Sequence, residues 1–255
     1  MILCIDIGNT NIVLGVAEND RILEHWRIRT DKDITEGGLR TEVDALFRSS
    51  YFDIKDISEV VLSSVVPSIV DTFKIFCGSY FNIKPLIVGL GINLGMPVKY
   101  DKPESVGFDR VVNAVAAYEK YRDGLIVVDF GTATTFDCVS EEGEYLGGVI
   151  VPGIRISCDA LFHRTSKLPL IREFKKPGNV IAKDTVSSMN AGIIYGYTDL
   201  VDGIVRRMWK EMGRRTKVIC TGGLAPVIFE ESDTIDHIEE LLTLKGLILI
   251  CKRNM

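Results

Sequence analysis

Leu3-Cys4-Ile5-Asp6-Ile7-Gly8-Asn9-Thr10-Asn11-Ile12-Val13 and Ile126-Val127-Val128-Asp129-Phe130-Gly131-Thr132-Ala133-Thr134-Thr135-Phe136 are two copies of one pattern. Each copy is an apolar run, then Asp-x-Gly, then a short polar turn, then a second run. That order reads as a β-hairpin with a carboxylate at the end of its first strand and a glycine-assisted bend. The spacing between copies is the same for the aspartates (6 and 129) as for the glycines (8 and 131), in a chain of 255 residues. A pattern repeated at about half the chain length predicts a duplicated domain.

Around the hairpins, helical and strand patterns alternate, which argues an α/β fold. Residues 35–50 carry Leu39, Val43, Leu46 and Phe47 at helical spacing, behind a candidate Thr35 N-cap. Glu59 to Pro67 reads as a buried strand stopped by proline, and Leu86-Ile87-Val88 as a short strand entering the Gly89-Leu90-Gly91 loop. Residues 106–121 form a helix with Val111, Val112, Val115 and Tyr118. Gly147-Gly148-Val149-Ile150-Val151-Pro152-Gly153 is a strand and loop. A long helix follows at about 185–212, with the stripe Met189, Ile193, Tyr197, Leu200, Ile204 and Met208. Its Gly192 and Gly196, one turn apart, predict close backbone packing, and Gly213 is a C-terminal stop. The strand Val218-Ile219-Cys220 then runs into Thr221-Gly222-Gly223. The expected domains are 1–117 and 118–255, with the last residues packing back on the first.

Composition narrows the function. Hydrophobic residues make up 46% and charged residues 25%, so a core of normal size forms without disulfides or structural metals. The net charge of −5 gives no sign of nucleic acid or an anionic membrane as partner. The densest basic group, Arg206 to Lys217, reads as the solvated end of the long helix. The six cysteines lack C-x-x-C spacing and sit largely in apolar runs, and the three histidines lie far from each other; buried thiols are expected rather than a zinc site. The first residues lack the basic stretch of a signal peptide, and no run approaches the ~20 apolar residues of a spanning helix, so the cytoplasm is the expected location.

No G-x-x-x-x-G-K-[ST] occurs, and Gly89-x-Gly91 lacks the third glycine of a dinucleotide fingerprint. What remains is the pair of hairpins. Asp6 at a strand end, with Asn9, Thr10 and Asn11 on a tight turn, suits phosphate oxygens and Mg²⁺. A single such turn reads equally well as an ordinary Asx-type bend. Two copies and the later Thr-Gly-Gly turn favour the phosphate reading.

These features resemble the superfamily of acetate kinases, sugar kinases and actin, in which two RNase H-like domains clamp ATP in a cleft between them. Asp6–Thr10, Asp129–Thr132 and Thr221–Gly223 match its three nucleotide signatures. The order Asp6-Ile7-Gly8-Asn9-Thr10-Asn11, Gly107-Phe108-Asp109-Arg110, Asp129-Phe130-Gly131-Thr132-Ala133-Thr134-Thr135, Gly147-Gly148 with Pro152-Gly153, and Thr221-Gly222-Gly223-Leu224 resembles type III pantothenate kinases over essentially the whole chain. The closing Leu242-Thr243-Leu244-Lys245-Gly246-Leu247 does too.

The resemblance implies ATP-dependent phosphorylation of pantothenate to 4′-phosphopantothenate, the first step of coenzyme A biosynthesis. It implies Asp109 as general base, near a helix start whose dipole favours the ionised form. Arg110 matches the substrate-contacting arginine, with a guanidinium suited to a carboxylate or phosphate. Gly107, Phe108, Tyr100 and Thr185 match the pantothenate pocket, although Tyr100 and Thr185 also read as packing or as an N-cap. Gly8, Asn9, Thr10, Asn11, Thr132, Gly222 and Gly223 match nucleotide contacts. Asp6 is matched to Mg²⁺, and Asp129 to a monovalent cation, K⁺ or NH₄⁺, although Asp129 also reads as repeating the magnesium role. A homodimer is implied, with the long helix as a candidate contact. Two other readings stay open: a kinase of the same fold for another small hydroxylated metabolite, and a non-catalytic actin-like nucleotide-binding regulatory protein.

Overall fold

The computed structural model describes residues 1–255. The chain divides into two compact units, Met1–Glu119 with Leu241–Met255, and Lys120–Glu240. Each holds one five-stranded sheet.

In the first unit, β1 (Ile2–Ile7), β2 (Asn11–Glu18) and β3 (Arg21–Arg29) form an antiparallel meander. Next come α1 (Glu36–Arg48), β4 (Glu59–Ser64), α2 (Val70–Tyr80), β5 (Leu86–Ile87) and α3 (Phe108–Tyr121), whose last two residues are grouped with the second unit. β4 lies parallel to β1 and β5 parallel to β4, giving the order β3-β2-β1-β4-β5. The second unit contains β6 (Leu125–Phe130), β7 (Ala133–Val139), β8 (Tyr145–Pro152), α4 (Ile154–Arg164), α5 (Thr185–Met212), β9 (Lys217–Thr221), α6 (Ala225–Phe229) and β10 (His237–Ile238). Its sheet runs β8-β7-β6-β9-β10, with the same strand directions. The final helix, α7 (Leu242–Arg253), belongs to the first unit.

The duplication extends to burial. β1 and β6 each bury four residues, leave an aspartate half-buried and bury the next residue. The hairpins differ in their turns: Ile7 pairs with Ile12, whereas Phe130 pairs with Thr134, so the second turn is one residue shorter.

Strand alternation sorts the first sheet's faces. Leu3, Ile5 and Ile7 join Val60, Leu62, Leu39, Val43, Phe73 and Phe76 in one apolar cluster. Cys4 and Asp6 point the other way, to the face carrying Gly15, where Leu244 of α7 packs so closely that a side chain at Gly15 would overlap it. Thr35 caps α1 as expected, accepting from the Gly38 amide at 3.2 Å. β4 ends at Ser64 because the Ser64 hydroxyl closes a local turn with Val66, ahead of Pro67.

α5 differs from expectation in its facing. Ile194, Tyr197, Val201 and Val205 are the buried stripe, while Ile193, Leu200, Ile204 and Met208 are only partly buried beside it. Gly192 and Gly196 do not serve close packing within the chain, since a Cβ at either would meet open space. They line an apolar groove of about 630 Å³ with Pro152, Ile154, Leu161 and Met189. The basic group at the end of α5 is engaged in ion pairs: Arg206 with Asp202 and Asp233, Arg214 with Asp123 and Glu141. No helix is long and apolar enough to cross a membrane.

All six cysteines are free and buried. Burial pushes the thiols of Cys77 and Cys220 up to about 12, those of Cys138, Cys158 and Cys251 up to about 11, and that of Cys4 upward as well. Since the thiolate is the reactive form, a thiol-specific disulfide reagent at pH 8 should label essentially none of them in the native protein and all six in denaturant. Rapid labelling of native protein would contradict this burial.

Candidate active site

Asp6 stands at the end of β1, in register with Val13 of β2 and Ser63 of β4. Beyond it the chain turns tightly. The Gly8 amide donates to Asn11 O at 3.0 Å, the Thr30 hydroxyl donates to Gly8 O at 2.7 Å, and the Thr30 amide donates to Thr10 O at 3.0 Å. The turn is thus pinned from beneath by Thr30. The side chains of Asn9 and Thr10 are exposed and that of Asn11 is half-buried. A short turn whose Gly8, Thr10 and Asn11 carbonyls are hydrogen-bonded, fringed by polar side chains and bordered by one carboxylate, is suited to an anion carrying a divalent metal.

The second hairpin repeats the arrangement. Asp129 is half-buried and in register with Thr135 of β7 and Thr221 of β9, and Thr132 is exposed at the tip. The Thr221-Gly222-Gly223 turn folds directly against it. Gly222 has φ +96°, and a Cβ there would lie 2.7 Å from Asp129 Oδ1 and 2.7 Å from the backbone of Phe130. Only glycine combines that φ with so close an approach. Gly223 is exposed beside it.

The third element is the start of α3. Asp109 is the second residue of the helix, and its Oδ1 accepts from the Arg110 amide at 2.9 Å. Burial raises its carboxyl above the ordinary 3.8, opposed by that backbone hydrogen bond and by the Arg110 charge. The Arg110 side chain is itself 6% exposed. Gly107 lies close behind: a Cβ there would fall 2.7 Å from Asp109 Oδ1. Phe108 is half-buried, and so is Tyr100, in the loop preceding the short turn Pro103–Ser105.

Thr185 is exposed as the first residue of α5, beside a cavity of about 550 Å³ lined also by Lys183, Asp184 and Ser188. It is not the N-cap: Asp184 is, accepting from the Ser187 amide at 2.9 Å. The first unit therefore carries the Asp6–Asn11 turn, Tyr100 and Gly107–Arg110. The second carries Asp129, Thr132, Gly222, Gly223 and Thr185.

No group of three or more His, Cys, Asp or Glu is gathered to hold a metal. Isolated carboxylates at strand tips fit Mg²⁺, which is commonly held by one or two carboxylates together with substrate phosphates. Two supporting hydrogen-bonding roles were not readable in the sequence. Thr30 pins the first turn across β2 and β3. The Tyr197 hydroxyl meets Pro152 O and Thr134 Oγ1, each at 2.7 Å, tying α5 to the second hairpin. Both contacts are long-range, and only the apolar stripe hinted at Tyr197.

A family model described as type III pantothenate kinase matches residues 2–207. A type III pantothenate kinase from Syntrophobacter fumaroxidans is 53% identical over 254 residues, covering 100% of this chain and 98% of that protein. One from Syntrophus aciditrophicus is 54% identical over 254 residues, covering 100% of both. Among solved structures, a ROK family glucokinase from Streptomyces griseus, in complex with glucose and AMPPNP, aligns with a TM-score of 0.58 at 12% identity, covering 98% of this chain and 99% of that one. A ROK hexokinase from Thermus thermophilus aligns with a TM-score of 0.52 at 11% identity, covering 98% of each. These neighbours share the fold of duplicated RNase H-like domains found in actin-like ATPases and sugar kinases, and the matches along the sequence place this chain in the type III pantothenate kinase family.

Proposed function

We propose that Asp109 is the general base of the reaction and that the turns at Asp6 and Asp129 hold the nucleotide. As a type III pantothenate kinase, the chain phosphorylates pantothenate with ATP and a divalent metal in coenzyme A biosynthesis. The primary hydroxyl oxygen of pantothenate forms a bond to the γ-phosphorus, the bond from that phosphorus to the β,γ-bridging oxygen breaks, and ADP leaves. Asp109 takes the hydroxyl proton. When bound, Mg²⁺ offsets the charge on the phosphates.

One observation carries this reading: a half-buried carboxylate in the first turn of α3, oriented by the Arg110 amide and backed by a glycine that leaves it room. Burial makes it a better base than an exposed aspartate, and the helix start keeps its ionised form accessible. Asp6, Gly8, Asn9, Thr10, Asn11, Thr132, Gly222 and Gly223 contact ATP, with Asp6 on the Mg²⁺ side. Asp129 binds K⁺ or NH₄⁺, which counters the negative charge near the phosphates. Tyr100, Gly107, Phe108, Arg110 and Thr185 line the pantothenate pocket. The enzyme works in the cytoplasm as a homodimer, with the apolar groove between α4 and α5, bordered by exposed Leu161, as contact surface.

A coupled ADP-release assay tests this. Turnover is expected only with pantothenate and Mg²⁺, rising when Na⁺ is replaced by K⁺ or NH₄⁺, and Asp129→Asn should lose the cation response. Folded protein that releases no ADP with pantothenate, Mg²⁺ and K⁺ would refute it.

A further inference from the structure

Ser63 is the penultimate residue of β4, and it is wholly buried. Its hydroxyl has no hydrogen-bond partner among the protein atoms. The next residue shows the contrast: the Ser64 hydroxyl both accepts from the Val66 amide and donates to the Val66 carbonyl. A buried hydroxyl left unpaired costs about 1–3 kcal/mol, so a serine that serves only as filler at this position is disfavoured relative to alanine.

Its register points to a use. β4 is parallel to β1, and Ser63 is directly opposite Asp6. Residues in register on adjacent strands project from the same face. Ser63 therefore shares the face of Asp6, away from the apolar cluster that takes Leu62 and Ile7. The second unit repeats the pairing, with Thr221 opposite Asp129. In both units a hydroxyl side chain sits beside the strand-tip aspartate on the parallel neighbour.

We propose that Ser63 is part of the nucleotide–metal site, a positioning residue whose buried hydroxyl, on the same face as Asp6, orients the Asp6 carboxylate when the divalent metal is bound. This rests on the reading of Asp6 as the Mg²⁺-side carboxylate. Ser63 holds that carboxylate toward the metal, so its removal weakens metal-dependent nucleotide binding and leaves pantothenate binding alone.

The test is calorimetry of ADP binding with and without Mg²⁺, on Ser63→Ala, Asp6→Asn and the double variant. Ser63→Ala should melt at the same temperature as the parent or higher, bind ADP with Mg²⁺ about tenfold more weakly, and bind metal-free ADP unchanged; tenfold is the low end of losses seen for outer-shell partners of metals. On the Asp6→Asn background it should add little, because the two act as a unit. Ser63→Gly serves as a second deletion of the hydroxyl should the alanine variant fail to fold. Parent-like Mg²⁺–ADP binding by Ser63→Ala, with Asp6→Asn weakened, would overturn the role of Ser63 alone. Parent-like binding by both would overturn the reading of Asp6 as well.

Discussion

Asp109→Asn should lose about 10²–10⁴-fold in kcat while its melting temperature at neutral pH stays level or rises. The substitution is nearly isosteric, and the asparagine oxygen still accepts from the Arg110 amide that now meets Asp109 Oδ1 at 2.9 Å. What disappears is the proton acceptor. The stability effect follows from the direction of the shift. Burial raises the folded-state carboxyl above 3.8, while the unfolded chain titrates at the ordinary value. Below the unfolded value both states are protonated and the charge contributes nothing. As pH rises through the folded value the unfolded state has already released its proton, so ionisation works against folding. The variant is free of that cost, and its advantage should grow from acid to neutral pH. In the parent enzyme the same shift sets the acid limb of kcat/KM, which should fall with decreasing pH at a value above 3.8. Circular dichroism melts at several pH values and steady-state kinetics check both. A variant retaining kcat within a few-fold of the parent would remove Asp109 as the base.

The legible part of this protein is local. Each hairpin is contained in one short stretch of chain, and apolar runs on either side of an Asp-x-Gly bend specified the strands, the turn and the position of the carboxylate. The Thr35 cap and the Gly213 stop were readable for the same reason. The facing of α5 was not. Ile193, Leu200 and Ile204 fit a helical stripe as well as Ile194, Val201 and Val205 do, and only tertiary packing decides which set is buried. The partner of Asp6 on β4 was invisible as well, because parallel register between strands far apart in sequence leaves no periodic trace. Gly107–Arg110 is an intermediate case. The sequence places Asp109 at a helix start, but its half-burial depends on how the helix packs, and its role came from resemblance. The alternative readings, a kinase for another metabolite or a non-catalytic regulator, could not be separated by the hairpins, which any nucleotide-binding member of the fold would share. The full-length relatives separate them.

Gly222→Ala should damage the second unit severely. Two costs combine. A non-glycine residue at φ +96° is strained, at about 1–3 kcal/mol. The new Cβ would also lie 2.7 Å from Asp129 Oδ1 and from the backbone of Phe130. Phe130 cannot retreat, since β6 is held by β7 on one side and β9 on the other. Relief must come from the Thr-Gly-Gly turn lifting or from Asp129 rotating away, and overpacking of this kind adds about 1–3 kcal/mol. The sum, about 2–6 kcal/mol, predicts a fall in melting temperature of roughly 5–20 °C for a domain of this size. Function should fail in a particular pattern. KM for ATP should rise and the response to K⁺ should weaken, because the turn and Asp129 are what move, while KM for pantothenate stays near the parent value. Gly213→Ala is the matched control. It too has a positive φ, +73°, but a Cβ there meets nothing within 4 Å, so it should cost only about 1 kcal/mol and leave both KM values intact. If Gly222→Ala proves no worse than Gly213→Ala, the close seating of this turn on Asp129 is not what holds the nucleotide side of the site together.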